Sequence, residues 1–358
     1  MDNPKESIRT LLEYMKDHRA SDLHITVGIR PYIRVDGRIM AAPLDIFSED
    51  ECEKMLFSIL TEPQIEKFRQ TKVVDCSYGE KSLGRFRFNI YMQRGTIAAA
   101  IRRLPIKIFS FEELGLPVDV LKKLCKMSQG LIIIAGPVGS GKTTTLASII
   151  QYINQTRNCH IISIEEPIEY LHQSDQSLIH QREIGTDAIS FSEALRQGLR
   201  EDPDVVMIGE MRDLETVSTA VTIAETGHLV LATLHTPDAS ESISRIVDVF
   251  PSMQQAQVRV QLSSSIEAVI NQMLLPQSLK NGMVVATEIL MATPAVRSLI
   301  RDNKIDQIYS QIQLGGQYHM HTMNQSLHLI INEGKVDREI ALTLSSRPKE
   351  LEKLLAGE

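Results

Sequence analysis

Residues 131–145 read LIIIAGPVGSGKTTT, and this stretch restricts the fold more than any other part of the chain. Leu131 to Ile134 are consecutive large apolar residues, as in a buried strand. The run stops at Gly136, and the spacing Gly136, Gly141, Lys142, Thr143 then sets strand, glycine-rich turn and helix start in the order of a phosphate-binding loop. Glycines take positive φ and bring backbone N–H groups to phosphate oxygens with no Cβ in the way. The following helix adds the positive end of its dipole. Pro137, Val138, Gly139 and Ser140 complete the loop and Thr144 carries it into the helix, so residues 136–144 are the expected nucleotide contacts. Lys142 is placed to bridge the β- and γ-phosphates, and the Thr143 hydroxyl to hold Mg2+. ATP and Mg2+ are therefore the expected ligands.

Downstream, the pattern alternates between helix and strand. The expected order is helix 142–153, strand 159–164, helix 190–200, strand 204–208, helix 214–225 and strand 228–233, after a helix at 118–127. Such interleaving implies an α/β domain with a mostly parallel sheet, and ligands at the carboxyl ends of its strands. Carboxylates fall at those ends: Glu165, Glu166 and Glu169 after one strand, Glu210 after another. One can hold the Mg2+ water shell, and another can orient or deprotonate an attacking water. His228 opens the last strand and His235 follows it, either as satisfied core residues or as a γ-phosphate sensor or subunit contact.

Before this domain the periodicity differs. Ile8, Leu11, Leu12 and Met15 recur at helical spacing, and Leu23, Ile25 and Val27 alternate as in a strand. Tyr32 to Val35 run into Asp36-Gly37, a hairpin turn, and Ser48 with Glu51 makes a capping box. Strands are expected at 73–78, 85–93 and 96–103. In the second, Phe86, Phe88, Ile90 and Met92 share one face and Arg85, Arg87 and Asn89 the other. Arg87 and Arg102 are either charges on a solvated face or groups that reach a phosphate. The expected domains are 1–110, a small α+β unit, and 118–358, with a Pro- and Gly-containing linker at 111–117.

Composition narrows the class. The 358 residues carry a net charge of −7 and only 5% aromatics, which argues against a broad nucleic-acid surface. No apolar run reaches the ~18 residues of a membrane span, and the charged N-terminus is unlike a signal peptide. A cytoplasmic protein is expected, with Cys52, Cys76, Cys125 and Cys159 as scattered, reduced thiols.

Several stretches together resemble the secretion ATPases, most closely the PilT family of twitching-motility motors. IISIEEPIEYLH (161–172) is similar to the family's Asp box, LREDPDVVMIGEMRD (199–213) to its Walker B region and TGHLVLATLHT (226–236) to its His box. SDLHITVGIRPYIRVDGR (21–38) resembles the start of its PAS-like N-terminal domain, and AVRSLIRD (295–302) the motif associated with retraction. The resemblance implies a RecA-like ATPase domain behind a PAS-like domain, assembled as a homohexamer that hydrolyses ATP. It implies Glu169 as water activator, Glu210 near Mg2+, Arg87 and Arg102 approaching the γ-phosphate, and His228 and His235 as the His-box pair. It also implies work on an inner-membrane platform protein of PilC type at the inner face of the cytoplasmic membrane, with a PilU-like second motor as a further partner. Neither nucleic acid nor direct membrane insertion is expected. One departure stands out: the Asp box reads Glu165-Glu166-Pro167, where the family has Glu-Asp-Pro. The rivals are a PilU-like accessory motor, a pilus assembly or secretion ATPase, a RecA-like DNA motor and a non-hydrolysing ATP-binding regulator. The absent four-cysteine zinc insertion and long N-terminal extension weigh against assembly.

Overall fold

The alternating segments between residues 22 and 103 become one antiparallel sheet in the computed structural model, which describes residues 4–35, 37–80, 82–278 and 282–357. Its strands are β1 (Asp22–Thr26), β2 (Tyr32–Val35), β3 (Arg38–Ala41), β4 (Val73–Glu80), β5 (Gly84–Gln93) and β6 (Thr96–Arg103), in the order β3-β2-β1-β6-β5-β4. Gly37, at φ 80°, turns β2 into β3; Asp36, expected to share that turn, lies outside the described residues. Ile8, Leu11, Leu12 and Met15 of the helix Pro4–Asp17 share a core with Phe86, Phe88 and Ile90 of β5. Met92, expected beside them, is 36% exposed because it adjoins the Arg94-Gly95 turn at the strand end. Ser48 and Glu51 form the reciprocal cap of the helix Glu49–Phe57. A further helix, Glu62–Thr71, has no counterpart in the sequence reading, since Phe68 alone of its residues is buried.

Ile108–Glu166 with His172–Glu358 form a second unit; Met1–Lys107 with Pro167–Leu171 form the first. The second holds β7 (Gly130–Ala135), β8 (His160–Glu165), β9 (Leu178–Glu183), β10 (Val205–Ile208), β11 (Leu229–Leu234), β12 (Ile266–Pro276) and β13 (Met283–Met291). Their order is β13-β12-β7-β11-β10-β8-β9, with every pair parallel except β12 with β13. Burial along the whole of β7, β10 and β11 explains their continuous apolar sequence. The helices Lys142–Thr156, Phe191–Gly198, Leu214–Glu225 and Ala239–Asp248 supply the crossovers.

Residues 111–117 do not form a bare linker. Ser110 and Glu113 cap a short helix, Phe111–Leu114, which Gly115 ends at φ 68°. Phe111 and Leu116 belong to the second unit's core, so these breakers punctuate helices, and the units divide between Lys107 and Ile108. Farther on, Leu275 and Ala286 share a smaller core with Met323, Leu327, Ile330 and Leu351 of the C-terminal helices.

Candidate active site

Four parallel strands end side by side and bring their loops to one edge of the sheet. β7 runs into Gly136, β8 ends in Glu165, β10 leads to Glu210 and β11 to His235. Gly136, Gly139 and Gly141 have φ of 138°, 79° and 89°. A Cβ on Gly136 would run into the Gln272 carbonyl and the Ser140 side chain. Gly141 caps the helix Lys142–Thr156, and Val138, at the loop's tip, is 86% exposed. Pro137 lends its carbonyl to Lys142, while Thr143 and Thr144 lie half-buried in the first helical turn. Ser140 Oγ is buried and has no partner among the described residues, so it is a hydroxyl that a phosphate oxygen could satisfy.

Lys142 is buried, and its ammonium spends its three protons on three acceptors. It donates to the carbonyls of Gly136 at 2.8 Å and Pro137 at 2.9 Å, and to His235 Nδ1 at 3.2 Å. Its relative exposure is 7%. Burial pushes its pKa down, against the pull of the Glu210 charge. Because Lys142 can only donate, His235 Nδ1 accepts, and the network assigns the ring proton to Nε2, which faces Glu210 Oε1 at 3.4 Å. Glu210 Oε2 in turn pairs with Arg212 at 2.7 Å. Burial raises the Glu210 pKa, but the Arg212 hydrogen bond and His235 outweigh it and leave the carboxyl below its ordinary range. A lysine, a histidine and a carboxylate thus stand in line beneath the phosphate loop.

The other candidates divide. Glu165 is buried and its Oε1 accepts from Ser163 Oγ at 2.7 Å and Gln181 Nε2 at 3.2 Å. Glu166 is exposed and raises the pKa of Arg212 through its charge, after the larger effect of Glu210. Glu169 is half-buried in the stretch Pro167–Leu171, which groups with the first unit. His228 does not join the cluster. It precedes β11, its carbonyl accepts from Gly130 N–H at the amino end of β7, and its ring faces the Ile223 carbonyl at 3.2 Å. A strand's length of about 3.3 Å per residue therefore separates it from the loop, so within this chain it is not placed as a phosphate sensor.

In the first unit, Arg87 of β5 stands directly opposite Arg102 of β6. Arg102 pairs with Asp22 at 2.8 Å and Arg87 with Asp75 at 3.6 Å, and both guanidinium groups stay well exposed. Asp22 also faces Arg34 at 3.8 Å, which extends the row along one sheet face.

Three site residues have no place in the sequence reading. Arg212 sits two residues beyond Glu210, within the GEMRD stretch, where the spacing could have suggested it. Gln272 of β12 donates to Thr145 Oγ1 at 2.9 Å and so braces the first turn of the phosphate-loop helix. Gln181 belongs to β9. The polar side chains that matter on these two strands interrupt the apolar pattern by which a strand is read.

Fold and site together define a phosphate-loop nucleotide-binding protein with a carboxylate and a histidine just beyond the ends of adjoining strands. Residues 96–283 match the family described as Type II/IV secretion system protein. The Type IV pilus retractation ATPase PilT of Pseudomonas aeruginosa is 42% identical over 342 residues, which cover 96% of this chain and 99% of that protein. The Type IV pilus ATPase PilU of the same species is 37% identical over 341 residues, covering 95% and 89%. Among solved structures, the pilus retraction motor PilT with bound ADP aligns at a TM-score of 0.88 and 48% identity, over 96% of this chain and 99% of that one. The chain belongs to the type II/IV secretion ATPase family, in its PilT group.

Proposed function

We propose that this protein is the hexameric motor that hydrolyses ATP to retract type IV pili. The observation that carries the reading is the line Lys142, His235, Glu210 beneath the phosphate loop, in a chain that aligns along nearly its whole length with a pilus retraction ATPase. Backbone N–H groups of residues 138–144 and Lys142 hold the phosphates; Thr143 and Glu210 would hold Mg2+, which would supply positive charge to offset that of the phosphates. Engaging the γ-phosphate costs Lys142 one of its three present acceptors, and His235 is the one that can turn away without disturbing the loop backbone. Glu169 orients the attacking water, with Glu165 and Glu166 as neighbouring carboxylates, and Arg87 and Arg102 stabilise charge on the transferred group.

ATP binding and product release would then close and reopen the site, and the ring would pass that motion to a platform protein of PilC type at the inner face of the cytoplasmic membrane. No described helix is long and apolar enough to cross a membrane, so the protein would reach it through that partner. A PilU-like second motor is the natural companion. The lower identity to PilU than to PilT makes an accessory role the second reading. Hydrolysis by the purified protein tests the reading: turnover that requires Mg2+ and disappears in Glu169→Gln, with ADP binding retained, supports it. Undiminished turnover in Glu169→Gln would overturn the assignment of the base.

A further inference from the structure

Ser163 lies directly beside Gln181 across the parallel pair β8 and β9, and Glu165 beside Glu183. Alternate strand residues share a face, so Ser163, Glu165 and Gln181 stand on one side of the sheet. Two bonds of the Gln181 amide bear on the neighbouring loop. Its Nε2 donates to Glu165 Oε1 at 3.2 Å, and its Oε1 accepts from the backbone N–H of His172 at 2.9 Å. Only this orientation of the amide serves both, because a carboxylate can only accept and an N–H can only donate.

Those two partners flank the loop that carries Glu169. Residues 166–171 belong to neither helix nor strand. Pro167–Leu171 group with the first unit, whereas Glu165, His172 and Gln181 belong to the second. The chain leaves the second unit after one partner of Gln181 and returns to it at the other. A single side chain thus bonds to both ends of the excursion.

We propose that Gln181 is a positioning residue for ATP hydrolysis, holding both ends of the Glu169 loop so that the carboxylate meets the attacking water. The inference rests on the function proposed above. Because Gln181 acts on the loop and not on the phosphates, its loss is expected in kcat and not in nucleotide affinity.

The test compares the full chain with Gln181→Met, which keeps the side chain's length but makes neither bond, and Gln181→Glu, which keeps the acceptor but sets a carboxylate against Glu165. Turnover of Mg-ATP and affinity for ADP are measured for each, with Glu169→Gln alongside. The expected result is a kcat lower by ~10- to 100-fold in both Gln181 variants, the scale of a misplaced reacting group, with ADP affinity unchanged. Wild-type kcat in a folded Gln181→Glu would overturn the proposal, as would an equal loss of ADP affinity or failure of both variants to fold, either of which makes Gln181 a structural residue. Glu169→Gln separates the two levels: if it turns over normally, the assignment of the base fails. If it is inactive while both Gln181 variants are normal, the positioning role alone fails.

Discussion

Arg87 and Arg102 face each other across β5 and β6, two like charges in direct register on one sheet face. Such a pair works against the sheet by roughly 0.2–1 kcal/mol, relieved here by Asp75 and Asp22. Folding alone gives no reason to keep it. Arg87→Ala should therefore leave stability within about 0.5 kcal/mol of the parent, by thermal unfolding, while ATP turnover falls. Unchanged turnover would return Arg87 to an ordinary solvated face.

Lys142 has a different balance of roles, since its ammonium already ties the loop carbonyls of Gly136 and Pro137. Lys142→Ala should remove both the phosphate contact and these ties, so ADP affinity and turnover should fall together. Isothermal titration with ADP checks this. His235→Ala should spare ADP affinity, because its present contacts are to Lys142 and Glu210, and lower kcat.

Glu210 offers a pH signature. Its carboxyl titrates below the ordinary value: burial alone would raise it, but Arg212 and His235 more than compensate. The folded state then binds fewer protons than the unfolded state in that range, so stability is present above the unfolded pKa and is lost as pH falls through the folded one. Thermal unfolding of the parent and Glu210→Gln should differ most near neutrality and converge as pH drops from about 5 towards 3. A constant difference over that range would contradict the charge network.

The helix Pro294–Arg301, which overlaps the stretch associated with retraction by resemblance, also holds the ATPase unit together. Arg297 donates to the carbonyls of Ser263 and Ser264 at 2.9 Å each, at the end of the helix Ser252–Ser265, and to Ala292 at 3.1 Å, and it pairs with Glu267 at 2.8 Å. Arg297→Ala should cost about 1–3 kcal/mol in urea unfolding, and Arg297→Lys should recover only part of this, because an ammonium cannot span the same fork. Full stability in Arg297→Ala would assign the residue to force coupling alone.

The phosphate loop could be read in the sequence because local rules and the fold agree there: an apolar strand, obligatory glycines and a helix start in succession. The N-terminal helix and the Ser48 cap were legible for the same reason. β9 and β12 were not, because their sequences carry Gln181, Asn271 and Gln272, whose side chains make hydrogen bonds where an apolar residue would be expected. His228 shows the opposite limit. Two histidines flanking one strand read as a pair, yet parallel pairing puts them at opposite edges of the sheet, and only His235 meets Lys142. The linker expectation failed to see that Gly115 and Pro117 bound helices already packed on the second core.

The central claim is retraction, and it is tested most directly by counting surface pili and scoring twitching in cells whose only copy of this protein carries Lys142→Ala. Many pili on cells that cannot twitch are expected. Few or no pili would contradict it and identify an assembly ATPase, and normal pili with normal motility would remove this protein from retraction altogether.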